Sequence, residues 1–144
     1  MDWQKILIQA GYRISKPRKQ VMQLLESTQT PQTALAIYQQ LRAQGARLSL
    51  VSVYRTLELF VSLGLISMVY EPEGSLGYVP ASAGHHHYIL CQVCHRAVEF
   101  AGTEDLAGLI YQVENQTQFL VSDHLLQFFG ICPKCQNELE VNSA

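Results

Sequence analysis

Ser49-Leu50-Val51-Ser52-Val53-Tyr54-Arg55-Thr56-Leu57-Glu58-Leu59-Phe60-Val61-Ser62-Leu63-Gly64 is the stretch whose reading decides the fold of the first half of this chain. Leu50, Val53, Leu57, Phe60 and Val61 recur at the three-and-four spacing of one buried helical face. Ser49 offers a side-chain oxygen to the first turn, and Gly64 falls just past the end, where a left-handed residue closes a helix. The opposite face presents Val51, Arg55, Leu59 and Ser62. Toward the N-terminus, Ser15 caps a helix with Pro17 in its first turn and Val21, Leu24 and Leu25 on one face. Thr33 caps another, carrying Ala34, Ile37, Tyr38 and Leu41, which Gly45 ends. Toward the C-terminus, residues 65–70 and 76–79 read as strands around the turn Glu71-Pro72-Glu73-Gly74. Three helices and a hairpin wing make a winged helix-turn-helix, whose second helix of the pair enters the major groove.

The Ser49 helix is the reader in that scheme. Arg55 is placed to bond a guanine edge bidentately, with Ser52 and Tyr54 beside it and Val51 or Tyr54 against thymine methyl groups. Arg13, Lys16, Arg18 and Lys19 cluster at the start of an earlier helix, where they can hold phosphates. A basic face of this size is also an ordinary solvated surface; the helical order and the wing favour the DNA reading.

The 144 residues are 48% hydrophobic and carry a net charge of −2, which hides a division. Residues 1–80 hold eight Lys/Arg against five Asp/Glu, whereas 81–144 hold two against seven, together with all five histidines and all four cysteines. The expected organisation is a mildly basic DNA-binding piece over 1–80, a hinge at 81–84 (Ala81-Ser82-Ala83-Gly84) and an acidic, ligand-rich metal-binding piece over 85–144. Ile6, Leu7 and Ile8 stand amid polar residues and do not form a signal peptide's apolar core, and no apolar run reaches the ~18 residues of a membrane span. A cytoplasmic protein is expected.

Every cysteine belongs to one of two C-x2-C pairs, Cys91 with Cys94 and Cys132 with Cys135. In a reducing compartment such a quartet reads as a closed tetrahedral zinc site that staples a fold and leaves no position for catalysis. Two local disulfides or four free thiols are the other readings of the same spacing. Cys91 to His95 also spells the c-type haem motif, which needs export and is set aside with the signal peptide. A thiol redox enzyme would need an exposed, low-pKa cysteine, and a zinc-ribbon interaction module would leave the N-terminal helices without a role.

Around the cysteines, residues 87–91 and 97–100 read as strands, Thr103 as the cap of a helix bearing Leu106, Leu109, Ile110 and Val113, and 119–131 as one long strand. This small α+β unit calls for a metal staple and a partner subunit. His85 and His87 share one face of their strand and His86 takes the other, while His124 lies on the distant long strand beside Asp123. Three imidazoles and a carboxylate suit a second, zinc-binding site.

The ordered set Gly11-Tyr12-Arg13-Ile14-Ser15, Pro17-Arg18, Val53-Tyr54-Arg55-Thr56-Leu57, Gly64-Leu65, His85-His86-His87, Cys91-x2-Cys94, Val98-Glu99-Phe100, His124 and Cys132-x2-Cys135 resembles the ferric uptake regulator family across the whole chain. The resemblance implies a homodimeric, metal-dependent transcription factor and not an enzyme, and makes the metal-binding piece over 85–144 a dimerisation domain. It implies double-stranded operator DNA as partner, no membrane and no small organic substrate, with one structural and one sensory metal ion per subunit. In the iron branch the positions matching Pro31, Val79 and Tyr88 supply a histidine, a glutamate and a histidine. Of that set this chain keeps His86 and Glu99, which stay as candidates for an additional site. Tyr88 also departs from the peroxide-sensing branch. The zinc branch is similar in using His85, His87 and His124, so the resemblance implies zinc as the sensed metal. The family's acidic ligand falls near Ala107, and either Glu104 or Asp105 takes its place, although both also suit a helix N-terminus. No upstream cysteine is present for the extra zinc site of some zinc regulators.

Overall fold

The computed structural model describes residues 2–101 and 105–143. Four helices open the chain, where three were expected. α1 (Trp3–Gln9) is short, capped by Asp2 through its Lys5 N–H, and buries Trp3 and Leu7. α2 (Lys16–Glu26), α3 (Ala34–Ala43) and α4 (Leu50–Ser62) follow the expected registers. The Thr33 and Ser49 hydroxyls accept from Ala36 and Ser52 N–H at 3.1 Å each. Ser15 stands at the cap position of α2 without a side-chain capping bond. Gly64 lies beyond α4 at φ +68°, a left-handed value that favours glycine.

On α4 the buried residues are Val53, Thr56, Leu57 and Phe60, with Leu50 and Val61 half-buried. Thr56 enters the stripe because its hydroxyl donates to the Ser52 carbonyl one turn back at 2.9 Å, which satisfies it without water. Phe60 packs edge-on against Trp3 at 5.6 Å between centroids. α1 is therefore the lid of the N-terminal core, which also holds Val21, Met22, Leu25, Ile37, Leu41 and Leu65.

The wing is an antiparallel pair, β1 (Ile66–Tyr70) and β2 (Leu76–Pro80), and Gln32 adds an isolated bridge to Tyr78. The approach of Pro31 leaves no room for a side chain at Gly77. A second sheet has the order β4-β3-β5, from β3 (His86–Cys91), β4 (Ala97–Ala101) and β5 (Gln127–Gly130). β3 pairs antiparallel with β4 and parallel with β5, with Tyr88 opposite Gln127 and Cys91 opposite Gly130. α5 (Ala107–Thr117) and α6 (Pro133–Ser143) complete the unit.

The long strand expected over 119–131 is a correction. Only Gln127–Gly130 pairs as a strand, and 118–126 has no regular structure. The apolar run there gave no period-two alternation, and β3 offers a partner edge only to Gln127–Gly130. The Thr103 cap lies outside the described residues; Leu106 occupies the cap position of α5.

A small second core of Val69, Val79, Tyr88 and Leu90 joins the wing strands to β3 across the 81–84 connection. The start of that connection is itself fastened, since Ala81 N donates to Leu65 O at 3.0 Å. By contrast α5 buries no residue at all. Leu109, Tyr111, Phe119, Leu120 and Leu125 are more than half exposed. No helix of the described residues is long and apolar enough to cross a membrane.

Candidate metal centres and nucleic-acid interface

The parallel pairing of β3 with β5 creates two sites at opposite ends of one ribbon. At the C-terminal end, Cys91 closes β3, Cys94 follows in the next turn, and Cys132 and Cys135 follow β5 on the entry to α6. The four Sγ atoms lie within 4.8 Å of one another, and Cys94 and Cys132 are 3.8 Å apart. A tetrahedral zinc with Zn–S bonds of about 2.3 Å has sulfur–sulfur edges of roughly 3.8 Å, whereas a disulfide bond is about 2.05 Å long.

Backbone hydrogen bonds, foremost from Cys94 and then from Cys132, pull the Cys91 thiol down to about 6. Burial foremost, and then the neighbouring thiols, push Cys135 up to about 12. Four sulfurs this close cannot all ionise without a cation among them, so the donor set fits a divalent, thiophilic ion. The thiol that is pulled down, Cys91, is buried, whereas a redox nucleophile needs exposure.

At the other end of the ribbon, the imidazoles of His85, His87 and His124 offer ligand atoms within the same 4.8 Å. His85 and His87 Nε2 are 3.1 Å apart, and the His124 ring stands 5.3 and 5.6 Å from theirs. Nitrogens around a tetrahedral zinc, with Zn–N of about 2.0–2.1 Å, would be separated by roughly 3.3 Å. His87 is buried against Phe100, while His85 and His124 are exposed. The His124 N–H is bonded to the Asp123 carboxylate at 2.8 Å, which fixes its turn. All three rings line a 790 Å³ cleft whose other wall is Val61, Gly64, Ile66, Met68 and Tyr70 of α4 and the wing.

The remaining candidates do not join this group. Among the described residues no carboxylate belongs to it. Glu104 lies outside the described residues. Asp105 accepts the Ala107 N–H at 3.0 Å and so serves the start of α5. His86 is turned away, as strand alternation demands, with Nε2 donating to Ala83 O at 2.7 Å. Glu99 accepts the Ser82 hydroxyl at 2.7 Å and the Ser82 N–H at 3.2 Å, and lies 3.7 Å from His86 Nδ1. His86 and Glu99 thus hold the 81–84 connection.

Two further contacts gave no signal in the sequence. The Gln127 side-chain amide bonds both backbone groups of Tyr70, accepting its N–H at 2.9 Å and donating to its carbonyl at 2.7 Å. His95 Nδ1 meets the Glu71 carboxylate at 2.9 Å, a bond that raises the imidazole above its ordinary value.

On the face of α4 expected to read DNA, Val51, Tyr54 and Arg55 are exposed and Ser52 is half-buried. Arg13 and Lys16 are exposed at the start of α2. Arg18 is more committed: it donates to Arg13 O at 2.6 Å, and its guanidinium lies 5.6 Å from the Tyr12 ring centroid. That guanidinium braces the α1–α2 connection as well as carrying charge.

Comparison with known proteins bears on this arrangement directly: residues 9–129 match the family described as the ferric uptake regulator family. The chain belongs to the ferric uptake regulator family. Its members are metal-responsive transcriptional regulators. Within the family, the chain is 34% identical over 138 residues to a ferric uptake regulation protein of Legionella pneumophila, covering 94% of this chain and 100% of that one. It is 28% identical over 132 residues to the peroxide-responsive repressor PerR of Staphylococcus aureus, covering 92% and 88%. A solved zinc uptake regulator, complexed with zinc and DNA, shares the fold with a TM-score of 0.76 at 19% identity, covering 98% of this chain and 93% of that one.

Proposed function

We propose that this family member is a zinc-responsive regulator that binds palindromic operator DNA as a homodimer when its imidazole site is filled. The observation that supports the choice of metal is the convergence of three imidazoles, His85, His87 and His124, whose ligand atoms lie within 4.8 Å of one another. A set dominated by imidazole nitrogen suits zinc, whereas ferrous iron and manganese draw more oxygen donors. In this reading Cys91, Cys94, Cys132 and Cys135 hold one structural zinc per subunit, and the three histidines hold one sensory zinc, with Glu104 the remaining candidate ligand.

Residues 1–80 form the DNA-binding domain, 81–84 the hinge and 85–144 the dimerisation domain. The exposed apolar residues of α5 and of 119–131 form the surface that a second copy covers, since so small a unit is marginal alone. Bound zinc supplies the positive charge that lets three imidazole lone pairs face one point. Everything else falls to the chain: β3 and β5 fix where the imidazoles stand, and the cleft places them against the wing. Arg55, Ser52 and Tyr54 read base edges, while Arg13, Lys16 and Arg18 hold phosphates. Filling the site shifts the population toward the arrangement whose paired α4 helices match the operator, and by reciprocity operator DNA tightens zinc binding by the same factor.

The test is a metal titration of the purified full chain against an operator selected from random duplex DNA, read by fluorescence anisotropy. Buffered zinc should switch binding on at a free concentration far below that of ferrous or manganous ions. Equal or greater potency of ferrous iron, with the thiolate site already filled, would overturn the zinc reading in favour of an iron regulator.

A further inference from the structure

Among the described residues, the side chain of Gln127 fastens the wing to the segment that follows His124. Tyr70 is the last residue of β1, and the groups that Gln127 engages are the N–H and carbonyl on its edge away from β2. One amide satisfying both is equivalent to one rung of a sheet ladder, made across 57 positions of sequence. Gln127 opens β5 opposite Tyr88 of β3. It stands three residues after His124, and Tyr88 stands one residue after His87. β3, which carries His87, and β5, which begins three residues after His124, therefore place this amide as well.

We infer that Gln127 is a positioning residue that transmits occupancy of the imidazole site to the DNA-binding wing, resting on the reading of that site given above. The segment 118–126 has no regular structure and carries His124 into the cleft. Drawing His124 toward His85 and His87 sets where that segment enters β5, and with it whether the Gln127 amide meets Tyr70. Tyr70 leads directly into the wing turn and lines the same cleft as the three rings. The result is a short mechanical link: imidazoles, first residue of β5, last residue of β1, wing. Both hydrogen bonds are partly buried, so losing them leaves two main-chain groups of Tyr70 poorly solvated.

Two measurements on the full-length, zinc-replete-thiolate protein test the link. The first needs no mutation: hydrogen exchange at the Tyr70 amide of the wild-type chain should slow at least about tenfold when zinc fills the imidazole site, as expected when an opening is disfavoured by one added bond pair. An exchange rate at Tyr70 that ignores zinc overturns the proposal. The second is Gln127→Met, which keeps the length without the bonds. Cobalt spectra should show that the imidazole site still binds metal, while the zinc-dependent tightening on operator DNA falls from the wild-type factor, on the order of 5- to 150-fold, to less than about threefold.

A uniform loss of DNA affinity with the zinc factor unchanged would make Gln127 a passive prop, and an unchanged variant would remove it from the path. Wild-type protein and His124→Ala are run alongside. If wild-type binding is itself indifferent to zinc, the sensory reading fails and takes the link with it. If wild type responds and Gln127→Met responds equally, the link alone fails.

Discussion

The carboxylate of Glu71 lies 2.9 Å from the ring of His95, so the turn of the wing touches the loop that carries the first thiol pair. Tyr70 and Glu71 are neighbours, and each is held from a different end of the β3/β5 ribbon. The thiolate end is expected to be filled permanently, so its hold on the wing should not depend on the zinc level being sensed. Glu71→Gln should therefore weaken operator binding by roughly two- to fivefold, the scale of an exposed ion pair, and equally at low and high zinc. A loss confined to high zinc would show that this contact is part of the switch.

Removing one thiolate should undo the C-terminal unit. Structural zinc binding is folding free energy, and the described C-terminal residues bury only a handful of side chains. Cys91→Ser or Cys135→Ser should lose the proposed dimer in sedimentation velocity and bind no zinc at the thiolate site. A stable dimer with native melting behaviour in either variant would speak against a four-thiolate staple.

Arg55→Ala should cost about 1 to 3 kcal/mol on the selected operator and little on random duplex, because a base-edge contact carries sequence information. Arg18→Ala should weaken both DNAs alike and lower the salt dependence by about one phosphate contact per subunit. It should also lower the melting temperature slightly, because the guanidinium braces Arg13 and Tyr12. Equal losses on the two DNAs for Arg55→Ala would assign Arg55 to the backbone.

His124→Ala should keep the thiolate zinc, the fold and the dimer, and lose a coupling of about 1 to 3 kcal/mol between zinc and DNA. Asp105→Ala is the contrast, because its carboxylate is bonded to the Ala107 N–H at 3.0 Å. That variant should loosen the start of α5 and leave the zinc response in place. Isothermal titration on apo-sensory protein distinguishes the two, and a full zinc response in His124→Ala would move the sensor elsewhere.

Gly77→Ala should destabilise the N-terminal unit by about 1 to 3 kcal/mol, since the added methyl group meets the Pro31 ring and its backbone. Thermal denaturation of the variant gives the value directly; an unchanged midpoint would mean that the 30–32 segment yields without cost.

The N-terminal architecture was legible because its signals are local. Ser49 and Thr33 are caps whose bonds form within one turn, and the spacing of Val53, Leu57 and Phe60 reports which face is buried. α1 escaped because its seven residues bury only Trp3 and Leu7, too few to show a period. α6 escaped for the opposite reason: Cys135 is its one buried residue among those described, so there is no apolar stripe to read. Residues 119–126 were misread as strand because Phe119, Leu120 and Leu125 suggested a buried run, whereas these side chains are exposed in a single chain. At the sites, the spacing of the cysteines announces their meeting, whereas the grouping of His124 with His85 and His87 was expected from the resemblance to a family and not from any local spacing. That grouping depends on the parallel register of β3 with β5, a long-range pairing that no local signal encodes.

If both sites hold metal as proposed, the same register would give the protein an order of assembly. With Tyr88 opposite Gln127 and Cys91 opposite Gly130, a slip of one residue would pull Cys91 out of step with Cys132 and His87 out of step with His124 together. Four thiolates on a common ion fix that alignment far more firmly than four residues of strand can. A chain that has not captured its first ion has no settled alignment to offer the second. In the proposed zinc reading a half-built regulator would thus be silent by construction, and metal would be gauged only by molecules that have already passed an inspection of their own strand pairing.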